Sequence, residues 1–173
     1  MTTAKKLTVA AVICSLALLL VSGGSIVAGD GAIPVERPFR IHSDARVYVD
    51  WANQSVDADG RPIVPWAITA SQVSTEGWST NQGEGVLYLD TFIGEGNGVC
   101  TDLNGDTLTW DSSEAVGTQH VVITITGGTG QYEGATGEFT FDYTILTSEV
   151  DEEGNPTKIT HTSWGAGSIT KMI

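Results

Sequence analysis

The sequence predicts an all-β protein built around one antiparallel barrel, and three observations lead to this prediction. Apolar and polar residues alternate in a series of short runs, which is the pattern of strands with one buried face. Glycine, asparagine and aspartate separate the runs, as expected for tight turns between antiparallel neighbours. No run shows the helical period, so the sequence offers no crossover helices for a parallel sheet.

Eight runs fit the strand pattern, and eight is about the number at which a sheet closes into a barrel that is either filled or holds one small ligand. Asn104–Gly105 is predicted to be a two-residue type I′ turn, because both residues tolerate positive φ. The glycine-rich segment 94–98 is assigned to another turn. The strands are predicted at residues 39–50, 66–74, 85–93, 98–102, 107–111, 119–126, 139–148 and 159–168.

Two of these strands differ in which of their faces are apolar. In 139–145 every second residue is aromatic or aliphatic, so the face with Phe139, Phe141 and Tyr143 is predicted to point into the barrel. In 86–93 both faces carry large apolar side chains, and such a strand is covered on both sides. Either a neighbouring subunit or the N-terminal segment provides the outer cover. We expect a homo-oligomer, with intrachain cover as the alternative.

The first 28 residues have the three parts of a secretory signal peptide. Lys5 and Lys6 give a positive start, residues 7–21 are apolar, and Ile26–Ala28 resembles a cleavage site. The apolar run is shorter than the ~18 residues that cross a bilayer, although an uncleaved anchor is the alternative. We expect a protein secreted to the periplasm or the extracellular medium, without stable membrane insertion after cleavage. Its parts are a signal peptide at 1–28, a linker at 29–38 and a β-barrel domain at 39–173.

The predicted mature chain is strongly acidic. Loss of Lys5 and Lys6 with the signal peptide changes the formal net charge from −13 to −15. Between Pro62 and Thr157 there are fifteen Asp and Glu residues and no Lys or Arg. This charge repels nucleic acid and anionic membranes, so neither is expected as a partner. The pattern is typical of an acidic, solvated surface, with a surface for cations or cationic substrates as the alternative.

The residue types that usually bind metals or perform catalysis form no recognisable motif. His42, His120 and His161 fall on different predicted strands without the spacing of metal ligands, so the sequence predicts neither a metal site nor a cofactor. Cys100 is the single thiol of the predicted mature chain. It is predicted to be a small buried residue.

Three segments resemble a known family. Gly127–Gly137 reads GGTGQYEGATG, Leu103–Asp106 reads LNGD, and Glu76–Thr80 reads EGWST and is followed by Gly83. Together they resemble the allene oxide cyclase-like and dirigent-like barrels, in particular those of secreted bacterial proteins. The resemblance implies a calycin-like eight-stranded barrel around an apolar pocket, in which enzymatic members bring a flexible substrate into a conformation ready for cyclisation. Gln131 stands where the family often has arginine, and no catalytic residue is transferred to this chain.

The function that follows is binding of a small hydrophobic molecule in the barrel interior. An isomerase or cyclase of the allene oxide cyclase-like type is one alternative, and a structural or surface-interaction barrel without a ligand is another. The glycine motif is assigned to structure, because it lacks the lysine and the following helix of a phosphate-binding loop. The candidate ligand-binding residues are Tyr88, Asp90, Trp110, Phe139, Phe141, Tyr143 and Trp164, with Asp142 as an alternative polar partner.

Overall fold

Nine β-strands joined by short connections make up most of residues 32–173, the part of the chain that the computed structural model describes. The predicted signal peptide at 1–28 lies outside this part. None of the helical segments in 32–173 has the length and hydropathy needed to cross a membrane. The strands are β1 Pro34–Val49, β2 Ser55–Val56, β3 Pro62–Ser74, β4 Gly77–Tyr88, β5 Ile93–Asp102, β6 Thr107–Ala115, β7 His120–Gly128, β8 Thr136–Val150 and β9 Pro156–Met172.

The sheet closes on itself. Each strand from β3 to β9 pairs antiparallel with its neighbour in the chain, and β1 pairs with β9 on one side and with β3 on the other. Eight strands therefore form a ring, and the two-residue strand β2 pairs with the start of β3 outside that ring. The prediction of an eight-stranded antiparallel barrel is confirmed.

The connections alternate between the two ends of the barrel. One end, here called the motif end, carries the connections 75–76, 103–106 and 129–135. Ile33 and Ile173 exchange backbone hydrogen bonds of 2.8 and 3.1 Å at the same end. The other end, here called the loop end, carries the connections 50–61, 89–92, 116–119 and 151–155.

The prediction was wrong about where β4 and β5 lie. Segment 85–93 is not one strand, because β4 ends at Tyr88 and residues 89–92 form a turn. The glycines of 94–98 lie within β5 rather than in a turn. Two of these glycines leave no room for a side chain. A Cβ on Gly96 would overlap the Trp66 indole, and one on Gly98 would overlap Trp110. Here glycine makes room for tryptophan rings packed over the strand.

Two smaller features also differ from the sequence expectation. β1 begins at Pro34, inside the stretch 29–38 that was assigned to a linker. The hairpin between β5 and β6 has a four-residue connection in which Gly105 has a φ of +88°. Asn104 keeps a negative φ, so the turn is not type I′. The side chain of Asp102 stabilises this turn instead, because its Oδ1 accepts backbone hydrogen bonds of 2.8 and 3.0 Å.

The glycine motif, residues 127–137, closes the motif end. A single 3₁₀ turn, Gly130–Tyr132, carries the Tyr132 side chain into the core, where it is buried. Gly137 lies against the backbone carbonyl of Ser168 in β9 and leaves no room for a Cβ. The motif therefore has a structural role, in agreement with the interpretation of its sequence.

A buried ion pair lies beside this motif. Lys171 Nζ is 2.5 Å from Glu76 Oε2, and the two side chains are only 8% and 12% exposed. The same ammonium donates to Gln131 Oε1 at 3.2 Å and lies 5.0 Å from the centre of the Tyr132 ring. These contacts connect β9 with the β3–β4 turn and with the glycine motif, so they hold three parts of the motif end together.

Candidate functional site

A cavity of about 220 Å³ occupies the barrel interior. It runs from Phe39, in the first half of β1, and Leu108, at the start of β6, to Trp51 and Val116 at the loop end. Because Val116 is 48% exposed, we place the mouth of the cavity at the loop end. Most of the wall is aliphatic or aromatic, with the following polar side chains among the lining residues: Ser43, Gln72, Asn81, Ser112, Glu114, His161 and Ser163.

Two tryptophans form much of one wall. Trp66 of β3 and Trp110 of β6 lie over the glycines of β4 and β5, where no side chain competes for the space. The Trp110 Nε1–H donates to Asn81 Oδ1 at 3.0 Å, which satisfies its buried donor and fixes the ring. The glycines that looked like turn residues therefore determine the shape of the cavity.

A third tryptophan lies at the mouth. Trp51 belongs to the long connection between β1 and β3, and its Nε1–H donates to the backbone carbonyl of Pro156 at 2.8 Å. Pro156 is the first residue of β9 and also lines the cavity. This hydrogen bond joins the connection that follows β1 to the start of its neighbouring strand β9, at the rim of the cavity.

The shortest side-chain hydrogen bond among the described residues of the cavity lies near its mouth. The Tyr143 hydroxyl of β8 donates to Glu114 Oε1 of β6 at 2.6 Å. Burial raises the pKa of Glu114 above its ordinary value, and the hydrogen bond from Tyr143 opposes this rise. Burial, with help from the neighbouring Glu114, also raises the pKa of Tyr143. A carboxyl group and a phenol thus face the cavity, both shifted towards their protonated forms.

His161 of β9 lies next to this pair and is 5% exposed. Its ring centre is 4.8 Å from that of Tyr143. Within residues 32–173, Nδ1 of His161 has no hydrogen-bond partner. Burial lowers the pKa of His161, and the nearby Asp44 only partly opposes the shift. The imidazole is therefore neutral near pH 7 and can accept or donate a hydrogen bond.

The inner part of the cavity contains Cys100, which is buried as predicted. Gln72 Nε2 donates to Ser79 Oγ and to Cys100 Sγ, both at 3.0 Å. Burial raises the pKa of the thiol to about 11, so it is protonated and unreactive at neutral pH. In the described part of the chain, no three side chains of His, Cys, Asp or Glu are grouped so that they could hold a metal ion.

Comparison with solved structures agrees with this architecture. No family model matches the chain, and no curated protein matches it. Eight chains of solved structures do match. One is the pterocarpan synthase dirigent protein GePTS1, which is 13% identical, with a TM-score of 0.51 over 79% of this chain and 86% of that chain. The fold is dirigent-like. At this level of identity the likeness concerns the fold alone.

Within this dirigent-like barrel, four of the seven candidate residues line the cavity. Trp110, Phe139, Phe141 and Tyr143 all contribute to its wall. The alternation in 139–145 therefore identified the inward face of β8 correctly for its three aromatic residues. Ile145, on the same predicted face, is 42% exposed and is the last residue before a register shift between β8 and β9.

The remaining candidates lie elsewhere. Trp164 is on the outer face of β9, 55% exposed, with its ring 5.2 Å from that of His42. Tyr88 is the last residue of β4 and lies under the Arg61 guanidinium, 4.1 Å from it. Asp90 is exposed in the turn after β4. The alternative polar residue, Asp142, is exposed on the outer face of β8 and pairs with His120 Nδ1 at 2.7 Å.

The sequence reasoning missed three residues of the site. Glu114 could have been found, because every second residue of β6 from Leu108 onwards points inward, but the predicted strand stopped at residue 111. His161 gave no such signal, since β9 is polar on both faces around it. Trp51 lies in a connection, where no periodicity predicts the direction of a side chain.

Proposed function

We propose that this protein binds a small, mostly apolar molecule inside its barrel. The observation that carries the proposal is the cavity of about 220 Å³, with aliphatic and aromatic walls and a few polar groups near its mouth. Pockets that bind small molecules have this composition, because apolar walls supply affinity and a few polar groups fix orientation. The dirigent-like fold supports the proposal, since the similar structure is named as a synthase.

The size of the cavity limits the ligand. An apolar cavity of ~150 Å³ in a protein core is large enough for benzene. The cavity here, at about 220 Å³, suits a single ring with a short substituent.

Calorimetric titration of the purified protein with 4-isopropyltoluene tests the proposal. We expect saturable binding that disappears in Ala45→Phe, because Ala45 is 2% exposed and its side chain lines the cavity. Ala67→Phe is the matched control, since Ala67 is exposed on the outer face of β3. Absence of binding to the unmodified protein, or equal binding to both variants, would contradict the proposal.

A second candidate function is that of an isomerase or cyclase. The observation in its favour is the group of Glu114, Tyr143 and His161, which places a protonatable carboxyl and a neutral imidazole in one apolar cavity. Such a pair can move a proton between two atoms of one substrate without a redox cofactor. An enzyme is supported if Glu114→Gln leaves hydrocarbon binding intact and abolishes turnover of a cyclisable substrate. Unchanged turnover in that variant would remove the support.

We propose in addition that the protein is secreted and self-associates. Secretion rests on the sequence of residues 1–28, and mass spectrometry of the N-terminus of protein from the culture medium tests it.

Self-association is supported by an exposed row on the outer face, where register places Trp164, His42, Val73 and Trp78 on four adjacent strands. Light scattering of the unmodified protein and of Trp164→Ser tests this, with a monomer in both cases as the contrary result.

A further inference from the structure

We infer that His161 selects an uncharged alcohol as the ligand, with the hydroxyl group at the imidazole and the hydrocarbon part against the apolar wall. The inference rests on the proposed function and adds to it the chemical class of the ligand and the residue that recognises it. It also predicts that anionic ligands such as fatty acids are rejected.

The first reason is the unpaired state of His161. This side chain lines the cavity and is 5% exposed, yet its Nδ1 has no hydrogen-bond partner in residues 32–173. Most buried polar atoms of folded proteins are hydrogen-bonded, and those that are not need an explanation. Tyr143 and Trp110, two other polar side chains of the cavity, have partners in Glu114 and Asn81. A ligand that hydrogen-bonds to His161 would explain the exception.

The second reason is the chemistry of a neutral imidazole. One ring nitrogen carries a proton and donates, while the other accepts. A half-turn of the ring about the Cβ–Cγ bond exchanges nitrogen and carbon positions in the same space, so either nitrogen can be presented to the cavity. A hydroxyl group both donates and accepts, and it can therefore pair with whichever nitrogen faces it. Ser43 and Ser163 also line this wall, on paired positions of β1 and β9 next to His161.

The third reason is the charge of the cavity. No Lys or Arg is among the residues that line it in the described part of the chain, and its one carboxyl group is Glu114. A carboxylate ligand would lose its hydration without gaining a cation, and it would also meet the charge of Glu114 whenever that group is ionised. An uncharged hydroxyl has no such cost.

Three probes with one carbon skeleton test the inference on the purified protein: 4-isopropyltoluene, 4-isopropylbenzyl alcohol and 4-isopropylbenzoate. Dissociation constants are measured for the unmodified protein, for His161→Phe, and for His161→Asn as a variant that keeps a hydrogen-bonding group. In His161→Phe, the affinity for the alcohol relative to the hydrocarbon should fall by about tenfold or more, because the buried hydroxyl loses its partner. His161→Asn should lose less, and the benzoate should bind about a hundredfold more weakly than the alcohol to the unmodified protein.

The outcomes separate this inference from the proposed function. If the hydrocarbon itself does not bind, the proposed function fails. If the hydrocarbon binds but the ratio of alcohol to hydrocarbon affinity is the same in His161→Phe as in the unmodified protein, the proposed function stands and the role of His161 is refuted. Benzoate binding as tight as alcohol binding would also refute it.

A measurement without substitution covers the case in which the variants do not fold. In ¹⁵N-histidine-labelled protein, the alcohol should shift the ring nitrogen resonances of His161 and the hydrocarbon should leave them nearly unchanged. Equal responses to the two probes would overturn the inference.

Discussion

The two ends of the barrel are built from the same sheet but differ in how much space they leave. At the motif end, Tyr132 and the buried Lys171–Glu76 pair fill the interior, and the void beside Tyr132 and Glu76 is about 10 Å³. Towards the loop end the interior opens into about 220 Å³. A void of the smaller size holds at most a single water molecule. One end is therefore packed for stability, and the other keeps the space that a ligand needs.

This contrast explains why the most recognisable sequence motif lies far from the polar groups of the cavity. Residues 127–137 are restricted by backbone contacts, such as that of Gly137 with Ser168, so their identities are determined by the fold. The cavity groups that could transfer a proton, Glu114, Tyr143 and His161, lie on strands β6, β8 and β9 towards the opposite end. The motif is thus evidence for the fold and carries no information on the ligand.

Gly137→Val should have the largest effect on the free energy of unfolding. The new side chain would collide with the Ser168 backbone, and overpacking together with backbone strain costs about 3–5 kcal/mol. Chemical denaturation measures the loss, or the protein fails to fold. Gly94→Ala is the control, because a Cβ there has its nearest neighbour at 4.0 Å and Gly94 lies at the loop end. Equal losses of unfolding free energy at both positions would contradict the distinction between a packed motif end and an open loop end.

Lys171→Met should have the second-largest effect on the free energy of unfolding. It leaves the buried Glu76 carboxylate without its cation, and removal of one partner of a buried pair costs about 3 kcal/mol or more. The double variant Lys171→Met, Glu76→Leu removes both charges and should recover much of this stability. Ligand affinity at 25 °C should be unchanged in each folded variant. A large loss of affinity without loss of stability would show that the motif end takes part in binding.

The free energy of unfolding should depend on pH through His161, which lies towards the loop end. In the unfolded chain this residue binds a proton as the pH falls through about 6.5, whereas burial lowers its pKa in the folded protein. The unfolded state then binds more protons, so the free energy of unfolding decreases as the pH falls below 6.5, by up to about 1.4 kcal/mol for each pH unit. Glu114 acts in the opposite sense at lower pH, because its pKa is raised in the fold.

Denaturation curves between pH 7.0 and about 5.5 check this prediction. His161→Phe should show a flatter dependence than the unmodified protein over this range, since Glu114 and the surface groups are common to both. The same slope in the two proteins would mean that His161 is not buried in its neutral form.

Trp51→Phe should have the smallest effect on stability and a selective effect on the ligand. The change removes the hydrogen bond to the Pro156 carbonyl, which fixes Trp51 against the start of β9 at the rim of the cavity, a loss of about 1 kcal/mol. We expect ligand dissociation to become several-fold faster in stopped-flow measurements, with association little changed. Faster dissociation should not occur in Trp78→Phe, because Trp78 is exposed on the outer face of β4.

The fold was predictable because a barrel of alternating strands repeats one simple pattern. In β8, Phe139, Phe141 and Tyr143 alternate with polar residues, and the inward face could be identified from this period alone. The same rule was applied wrongly to 85–93, since it treats a run of apolar residues as one strand even where the chain turns. The glycines of β5 were also assigned wrongly, to a turn. The residues that require a glycine there, Trp66 and Trp110, are distant in the sequence.

The site was less predictable than the fold for a physical reason. A cavity is a property of the assembled barrel, and a residue takes part in it through its direction and its burial. Trp164 and Trp110 look alike in the sequence, yet one lies on the outer face and the other in the cavity wall. His161 is distinguished by its burial and by an Nδ1 without a hydrogen-bond partner in residues 32–173, and the sequence of β9 contains no sign of either.

A methyl NMR titration of the unmodified protein with 4-isopropyltoluene tests the division of the barrel most directly. Methyl resonances of Val116 and Val121, which line the cavity, should shift with one common dissociation constant. Those of Ala135 and Ile169, which are completely buried at the motif end, should not move. Shifts at Ala135 and Ile169 equal to those at the loop end, or no saturable shift at either end, would contradict the division into a packed end and a binding end.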